Sequence, residues 1–364
     1  MPELKVRIGC VVLAVVMSAV TYYFVEPRLR WGRFGGYKAA GLLSVMVVIG
    51  VAGYSVERHD GYTARMNDPE QPVIDAISQR MEEDNLRCLS VIPDWNNLSD
   101  GISRNDGTIC KMQREPGKNT IALIGDSHAQ HLYPGLTTQM QESDGVAVFP
   151  AGCAIPLIGL HSAADPYMLK LRPAWAYTEH LLSEAFDYII NHKNIEKVVL
   201  AHHTQCSWNN VVDTQNPGNH DFESILSEGF ARTYKVLTNA GKQIYVVLDN
   251  PVYANKNWQK CMASVIRRPI AIPDFLNFKK IEICQLKSSA LVERTILDNW
   301  KKVSHEKAQG YKNIHFIDLE QVFCPNEICS MLDRKGNMLY RDEQHLNIKG
   351  SIYASPFIIN HLRK

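Results

Sequence analysis

The sequence has almost no net charge: Lys and Arg together number 39, Asp and Glu 38. Broad binding to nucleic acid needs a basic field, so this balance excludes it as the main activity. No internal repeat or low-complexity tract is evident. The 364 residues therefore suit one large domain or two of ordinary size.

Charge is also missing locally. Ile8–Val25 and Ala39–Val56 each run 18 residues without a charged side chain, about the length that crosses a bilayer as a helix. A single run of this kind also fits a buried core helix. Two in tandem, joined by a short basic loop, point to a membrane hairpin. A signal peptide competes for the first run, because Lys5 and Arg7 precede it. However, a clean small-x-small cleavage site is lacking, and a signal peptide leaves the second run unexplained. The loop between them carries Arg28, Arg30, Arg33 and Lys38. Basic loops stay in the cytoplasm, which places everything after Val56 outside the inner membrane.

Cysteine usage agrees with that compartment. Cys10 lies in the first run, and the other eight cysteines follow the second. An even set in an oxidising compartment reads as disulfides, although sequence does not fix their connectivity. Cys324–Cys329 would close a short Pro-containing loop. Cys88–Cys110 and Cys261–Cys284 are plausible neighbours, and Cys153–Cys206 is left by elimination.

Residues 57–118 show little strand pattern and read as a linker that becomes a disulfide-tied lead-in. From residue 119 the pattern changes. Thr120–Ile124, Val146–Phe149, Val198–Ala201, Ile244–Leu248 and Ile314–Ile317 are short apolar runs of the kind that form buried strands. Helical patterns lie between them at 130–141, 173–192, 222–240 and 286–309. Ile348–Leu362 reads as a last helix, N-capped by Asn347. Alternation of strand and helix predicts an α/β domain over 119–364, a parallel sheet covered on both faces. Ligands in such sheets bind at the carboxyl ends of strands.

Two polar motifs follow this geometry. Gly125-Asp126-Ser127-His128-Ala129 comes directly after the first strand. A tight strand-to-helix turn would present the Ser127 hydroxyl at the sheet edge and aim helix-start N–H groups at a developing oxyanion. The same residues also make an ordinary helix cap. Asp342-Glu343-Gln344-His345-Leu346 leads into the last helix. An Asp and a His three apart can approach each other, the acid orienting the ring and the ring's other nitrogen facing a serine. Together the two motifs are far more specific than either alone.

These blocks resemble the first and last blocks of the SGNH (GDSL-like) hydrolase family. Phe149-Pro150-Ala151-Gly152-Cys153-Ala154-Ile155-Pro156 resembles its glycine block. Thr21-Tyr22-Tyr23-Phe24-Val25-Glu26-Pro27-Arg28 resembles the end of the membrane domain of acyltransferase-3 proteins. The combination is similar to the C-terminal part of acyltransferase-3–SGNH fusions, which O-acetylate bacterial surface polysaccharides such as lipopolysaccharide O-antigen. The resemblance implies an SGNH-like, flavodoxin-like fold behind a two-helix transmembrane hairpin at 1–56. It implies Ser127 as nucleophile, His345 as base and Asp342 as its orienting acid. The oxyanion hole would use the N–H groups of Ser127 and Gly152. The family's third donor is an asparagine after the third strand. This chain has His202-His203-Thr204-Gln205 there, so Gln205 or a histidine would stand in, or the hole would rely on backbone donors alone. Asn209 and Asn210 come later.

The resemblance further implies that the domain binds no cofactor. Acetyl-CoA would be the ultimate acyl donor, reached through an acyltransferase-3 membrane domain of which this chain holds only the tail. The expected partners are that membrane domain, the inner membrane and a surface glycan acceptor. The catalytic domain would lie in the periplasm of a bacterium. Two alternatives stand beside this: a periplasmic carbohydrate acetylesterase with the same triad, and a non-catalytic, membrane-tethered glycan-binding module, which the missing asparagine supports. An α/β-hydrolase fits less well, since its triad acid and histidine come from separate strands. His202, His203 and Cys206 together suggest a metal site only weakly, because Cys206 is wanted for a disulfide. No metal is therefore expected. His128 and His131 suit the cleft or the core equally.

Overall fold

The computed structural model describes residues 4–27, 35–58, 71–91, 110–114, 120–140, 145–162, 178–206, 211–265, 280–292 and 294–364. The chain divides into two units, Met1–Pro69 and Glu70–Lys364.

The first unit is helical. Helix α1, Leu4–Val20, continues into a π-helical turn over Thr21–Val25. Helix α2 is Gly35–Arg58. Among the described residues, only α2 is long and apolar enough to cross a membrane by length and composition. The first run gives a shorter apolar helix, Val11–Val25. Leu13, Val15, Leu43 and Val48 are all exposed. An uncovered stripe this apolar is stable against lipid or protein and costly against water. Arg28, Arg30 and Arg33 lie outside the described residues, and Lys38 sits in the first turns of α2.

The second unit begins with helix α3, Gln71–Val91, inside the stretch expected to be a linker. Its polarity hides its packing, which rests on a few inward groups. Ile77, Asp84 and Cys88 are buried. Cys88 is bonded to Cys110. Asn85 donates to the carbonyl of Cys110 at 3.0 Å, and Arg87 donates to that of Met112 at 3.1 Å. These ties hold the short strand β1, Lys111–Met112. Much of the lead-in is thus part of the folded domain.

The remaining elements alternate as expected. Strand β2, Thr120–Gly125, leads to α4, Ser127–Gln139, and then to β3, Val146–Pro150. Next come β4 (Leu160–Ser162), α5 (Thr178–Asn191), β5 (Ile195–Ala201), β6 (Val211–Asp213) and α6 (Phe222–Asn239). Then follow β7 (Gln243–Leu248), α7 (Asn255–Val265), α8 (Lys280–Ile283), β8 (Gln285–Lys287), α9 (Arg294–Ala308) and β9 (Ile314–Asp318). The chain ends with α10 (Glu320–Phe323), β10 (Ile328–Ser330) and α11 (Ile348–Leu362). The helix expected from 286 starts only at Arg294, because 285–287 pairs as a strand with β10.

Six strands form one sheet in the order β1-β3-β2-β5-β7-β9. Strand β1 is the antiparallel edge and the other neighbours are parallel. The parallel part has the flavodoxin-like order, whose switch point lies at the carboxyl end of β2. Ala122 and Ile124 enter one core with Leu181, Phe186 and Phe230. Ile121 and Leu123 enter the other with Leu132, Tyr133 and Ile358. Burial on both faces explains why these strands read as unbroken apolar runs.

Two close approaches set the site. Gly125 has φ +156°, and a Cβ there would lie 1.7 Å from the carbonyl oxygen of Ala201. Only glycine lets β2 turn out beside the end of β5. A Cβ on Gly135 would lie 2.1 Å from the carbonyl oxygen of Ser351, so α4 and α11 pack backbone to backbone. The residues that begin α4 and those that precede α11 therefore meet.

Candidate active site

Ser127 is the first residue of α4. Asp126 caps the helix, its Oδ1 accepting from the N–H of His128 at 2.8 Å. Its Oδ2 accepts from the N–H of His203 at 3.0 Å, tying the turn to the loop after β5. The Ser127 hydroxyl is half-buried and its Oγ lies 2.7 Å from Nε2 of His345.

Asp342 holds His345 from behind. Nδ1 of His345 lies 2.8 Å from Oδ2 of Asp342, and Oδ1 accepts from the N–H groups of His345 and Gln344 at 2.7 and 3.1 Å. Burial alone would raise the Asp342 carboxyl. The donors from His345 and Gln344 and the charge of the His345 ring outweigh it and hold the group well below the ordinary carboxylate range. The segment is braced from other elements. Asn250 donates Nδ2 to the carbonyl of Gln344 at 2.8 Å. The N–H of Tyr253 donates to the carbonyl of Glu343 at 2.9 Å. The N–H of Leu346 reaches Nδ1 of His131 at 3.4 Å.

The expected oxyanion donors lie close in the chain to this point. The N–H of Ser127 is one of the first in its helix and has no intrahelical acceptor. Gly152 is buried in the turn after β3, whose residue Ala151 donates to the carbonyl of Gly125 at 2.8 Å. Cys153, the next residue, adopts φ +54° and is bonded to Cys206 in the loop after β5. The structure also joins Cys88 to Cys110, Cys261 to Cys284 and Cys324 to Cys329. Gln205 is exposed. His202, His203 and Thr204 of the same loop are buried, and His203 stacks on His128 with ring centroids 4.6 Å apart. Asn209 and Asn210 lie outside the described residues.

Behind the serine sits a buried ionisable cluster. Nδ1 of His128 lies 2.6 Å from Oδ1 of Asp249. Asp249 follows β7, and its place in this cluster was not legible in the sequence. The available signal was an acid–amide pair, Asp249-Asn250, directly after an apolar strand. Burial, followed by neighbouring imidazoles, lowers His128 and His131 well below the usual histidine range. Burial, helped by His203, lowers His202 to about 3; its ring packs against Trp300. Burial pushes Asp126 and Asp249 up to about 6, opposed in each case by positive charge on His203.

His128, His203 and Asp249 bring potential ligand atoms within 4.8 Å of one another. Yet two ligands at about 2.0–2.1 Å from a tetrahedral zinc stand roughly 3.3 Å apart, whereas His128 and Asp249 are 2.6 Å apart. That separation is a charge-assisted hydrogen bond. Cys206, sequestered in its disulfide, is no ligand either.

Serine, histidine and carboxylate are thus linked in series at the carboxyl ends of the strands. A family model of the SGNH domain, described as fused to AT3 domains, matches residues 95–360. The chain belongs to the SGNH family. Its SGNH domain is of the type that forms the C-terminal part of an AT3 fusion. No curated protein sequence matches significantly. Among solved structures, the periplasmic domain of the lipopolysaccharide acetyltransferase of Salmonella ser. Paratyphi A is 18% identical, with 69% of this chain and 85% of that one covered and a TM-score of 0.45. An acetyl xylan esterase, AlAXEase, is 12% identical over 66% of this chain and 98% of that one, with a TM-score of 0.34. The salicylyl-acyltransferase SsfX3 of a tetracycline biosynthetic pathway is 12% identical over 69% and 55%, with a TM-score of 0.33.

Proposed function

We propose that this SGNH domain is a serine-dependent O-acyltransferase that moves an acetyl group onto a sugar hydroxyl of a bacterial surface polysaccharide, such as lipopolysaccharide O-antigen. The observation that carries the reading is the hydrogen-bonded series Ser127–His345–Asp342. A serine hydroxyl is a poor nucleophile until a base takes its proton, and Nε2 of His345 is within reach to do so. Oγ of Ser127 then attacks the acyl carbonyl. The tetrahedral oxyanion draws on the N–H groups of Ser127 and Gly152. Collapse expels the donor's leaving group, which takes the proton from His345 and leaves an acyl-serine. An acceptor hydroxyl next gives its proton to His345, attacks the acyl carbon and restores the Ser127 hydroxyl with that proton. Asp342 keeps the ring in the tautomer that accepts at Nε2 and stabilises its transient charge.

On this reading the acyl group arrives from an acyltransferase-3 membrane domain supplied with acetyl-CoA. The apolar helices α1 and α2 would anchor the chain in the inner membrane, with the SGNH domain in the periplasm. The disulfides suit that oxidising compartment. Turnover of p-nitrophenyl acetate by the full chain in detergent, compared with Ser127→Ala, tests the nucleophile; equal rates would sink it. Tracing a labelled acetyl group into an oligosaccharide separates transfer from hydrolysis. Acetate release that never falls when acceptor is added would replace the transferase with an acetylesterase.

A further inference from the structure

Among the described residues, the region around Ser127 holds two imidazole–carboxylate pairs, and the proposed chemistry uses one. We propose that Asp249, held by His128, is a second anionic partner for His345. As a positioning residue it stabilises the positive charge that His345 gains when it takes the Ser127 proton. The inference rests on the acyl-transfer reading for its purpose, though not for its physical test.

The two pairs have the same construction. In each, Nδ1 of the ring faces a carboxylate, at 2.8 Å for His345–Asp342 and 2.6 Å for His128–Asp249. The rings stand side by side, with centroids 5.0 Å apart. They differ in exposure. The side chain of Asp342 is 34% exposed, that of Asp249 only 4%. Water screens the first charge and hardly reaches the second, so Asp249 acts over a longer distance than an exposed carboxylate would. Asp249 is held as an acceptor, taking Nδ1–H of His128 and the N–H of Asn250 at 2.9 Å. Burial raises its carboxyl to about 6, opposed first by His203, then by the N–H groups of Asn250 and Thr204 and last by His345, so it is an anion above that pH.

Among the described residues, no other neighbouring group is suited to this task. His131 and His203 pack on His128, and extra positive charge on any of these rings would oppose protonation of His345. Asp126 spends both carboxylate oxygens on main-chain N–H groups. His202 lies against Trp300. On its other side Asp249 lines a pocket with Thr204, Arg294 and Glu320, where Arg294 and Glu320 pair with each other. Arg341 lies 3.6 Å from Asp342 and offsets part of that carboxylate's field.

The test is an NMR titration of the His345 ring in the full chain in detergent, assigned by difference from His345→Gln, with Asp249→Asn beside wild type. Removing a nearby negative charge lowers the ring's proton affinity, so the variant ring should titrate about one pH unit lower. The acid limb of kcat/KM for p-nitrophenyl acetate should move down by the same amount, with kcat reduced about tenfold and KM little changed. Asp249→Glu, which keeps the charge, should restore the position of the limb. If Asp249→Asn does not fold, His128→Phe serves instead. It keeps a packed ring but strips the buried carboxylate of its donor, and the carboxylate then neutralises; the same shift is expected. An unmoved His345 titration in a folded variant overturns the proposal, even where kcat falls, because that pattern belongs to a structural tie. Wild type no faster than Ser127→Ala would refute the acyl-transfer reading alone, since the titration needs no turnover.

Discussion

Oγ of Ser127 lies 2.7 Å from Nε2 of His345, across 218 residues of chain. The contact exists because α4 begins at the serine and packs on α11, whose lead-in carries the histidine. The backbone contact at Gly135 fixes how closely those helices approach. The proposed chemistry depends on this distance and on the carboxylate behind it.

Asp342→Asn is expected to lower kcat for ester turnover by about 10³–10⁴-fold with little change in KM. The amide no longer stabilises the imidazolium and permits the wrong tautomer at Nδ1. Steady-state kinetics at pH 8 check this, and a wild-type kcat in the variant would remove Asp342 from the mechanism.

The Cys153–Cys206 bond joins the turn that carries Gly152 to the loop after β5. Replacing both cysteines by serine should cost about 2–4 kcal/mol of stability. It should also lower kcat about tenfold at temperatures where the variant is fully folded, because the loosened turn no longer holds an oxyanion donor in place. Denaturant unfolding and turnover read the two effects separately. Lost stability with unchanged kcat would confine the bond to a structural role.

Asp126 supplies a pH dependence of stability. Burial pushes its carboxyl up to about 6, above its unfolded value of about 3.9. A raised acid binds its proton more tightly in the folded state. The stabilisation it contributes is complete below pH 4 and is lost as pH rises towards 6. Asp126→Asn lacks this term. Between pH 4 and 6 its unfolding free energy should fall less steeply than that of wild type, by about 1 kcal/mol per pH unit. Identical slopes in the two proteins would count against an ionising Asp126.

Some of this molecule is local and therefore legible. The strands are apolar throughout because both faces are covered. The cap at Asn347 is a contact of neighbours, its side chain accepting from the N–H of Gly350 at 2.9 Å. The same holds for the turn at Gly125-Asp126-Ser127 and for the Asp342–His345 pair, since residues three apart on a turn meet whatever the rest of the chain does. Helix α3 was not legible: its few inward side chains show no periodic apolar stripe, and it is held largely by Cys110, β1 and Tyr133. The cluster behind the serine was even less so. His128 starts one helix, His203 follows β5 and Asp249 follows β7, and each alone is an ordinary polar residue after a strand. Sequence by itself determined the strands, the turn that carries the proposed nucleophile Ser127 and the Asp342–His345 pair, because those depend on short-range geometry and burial. Only the tertiary structure decided that a second imidazole–carboxylate pair, His128 with Asp249, lies buried behind Ser127, because parallel strand order, set by long-range packing, is what brings those loop ends together.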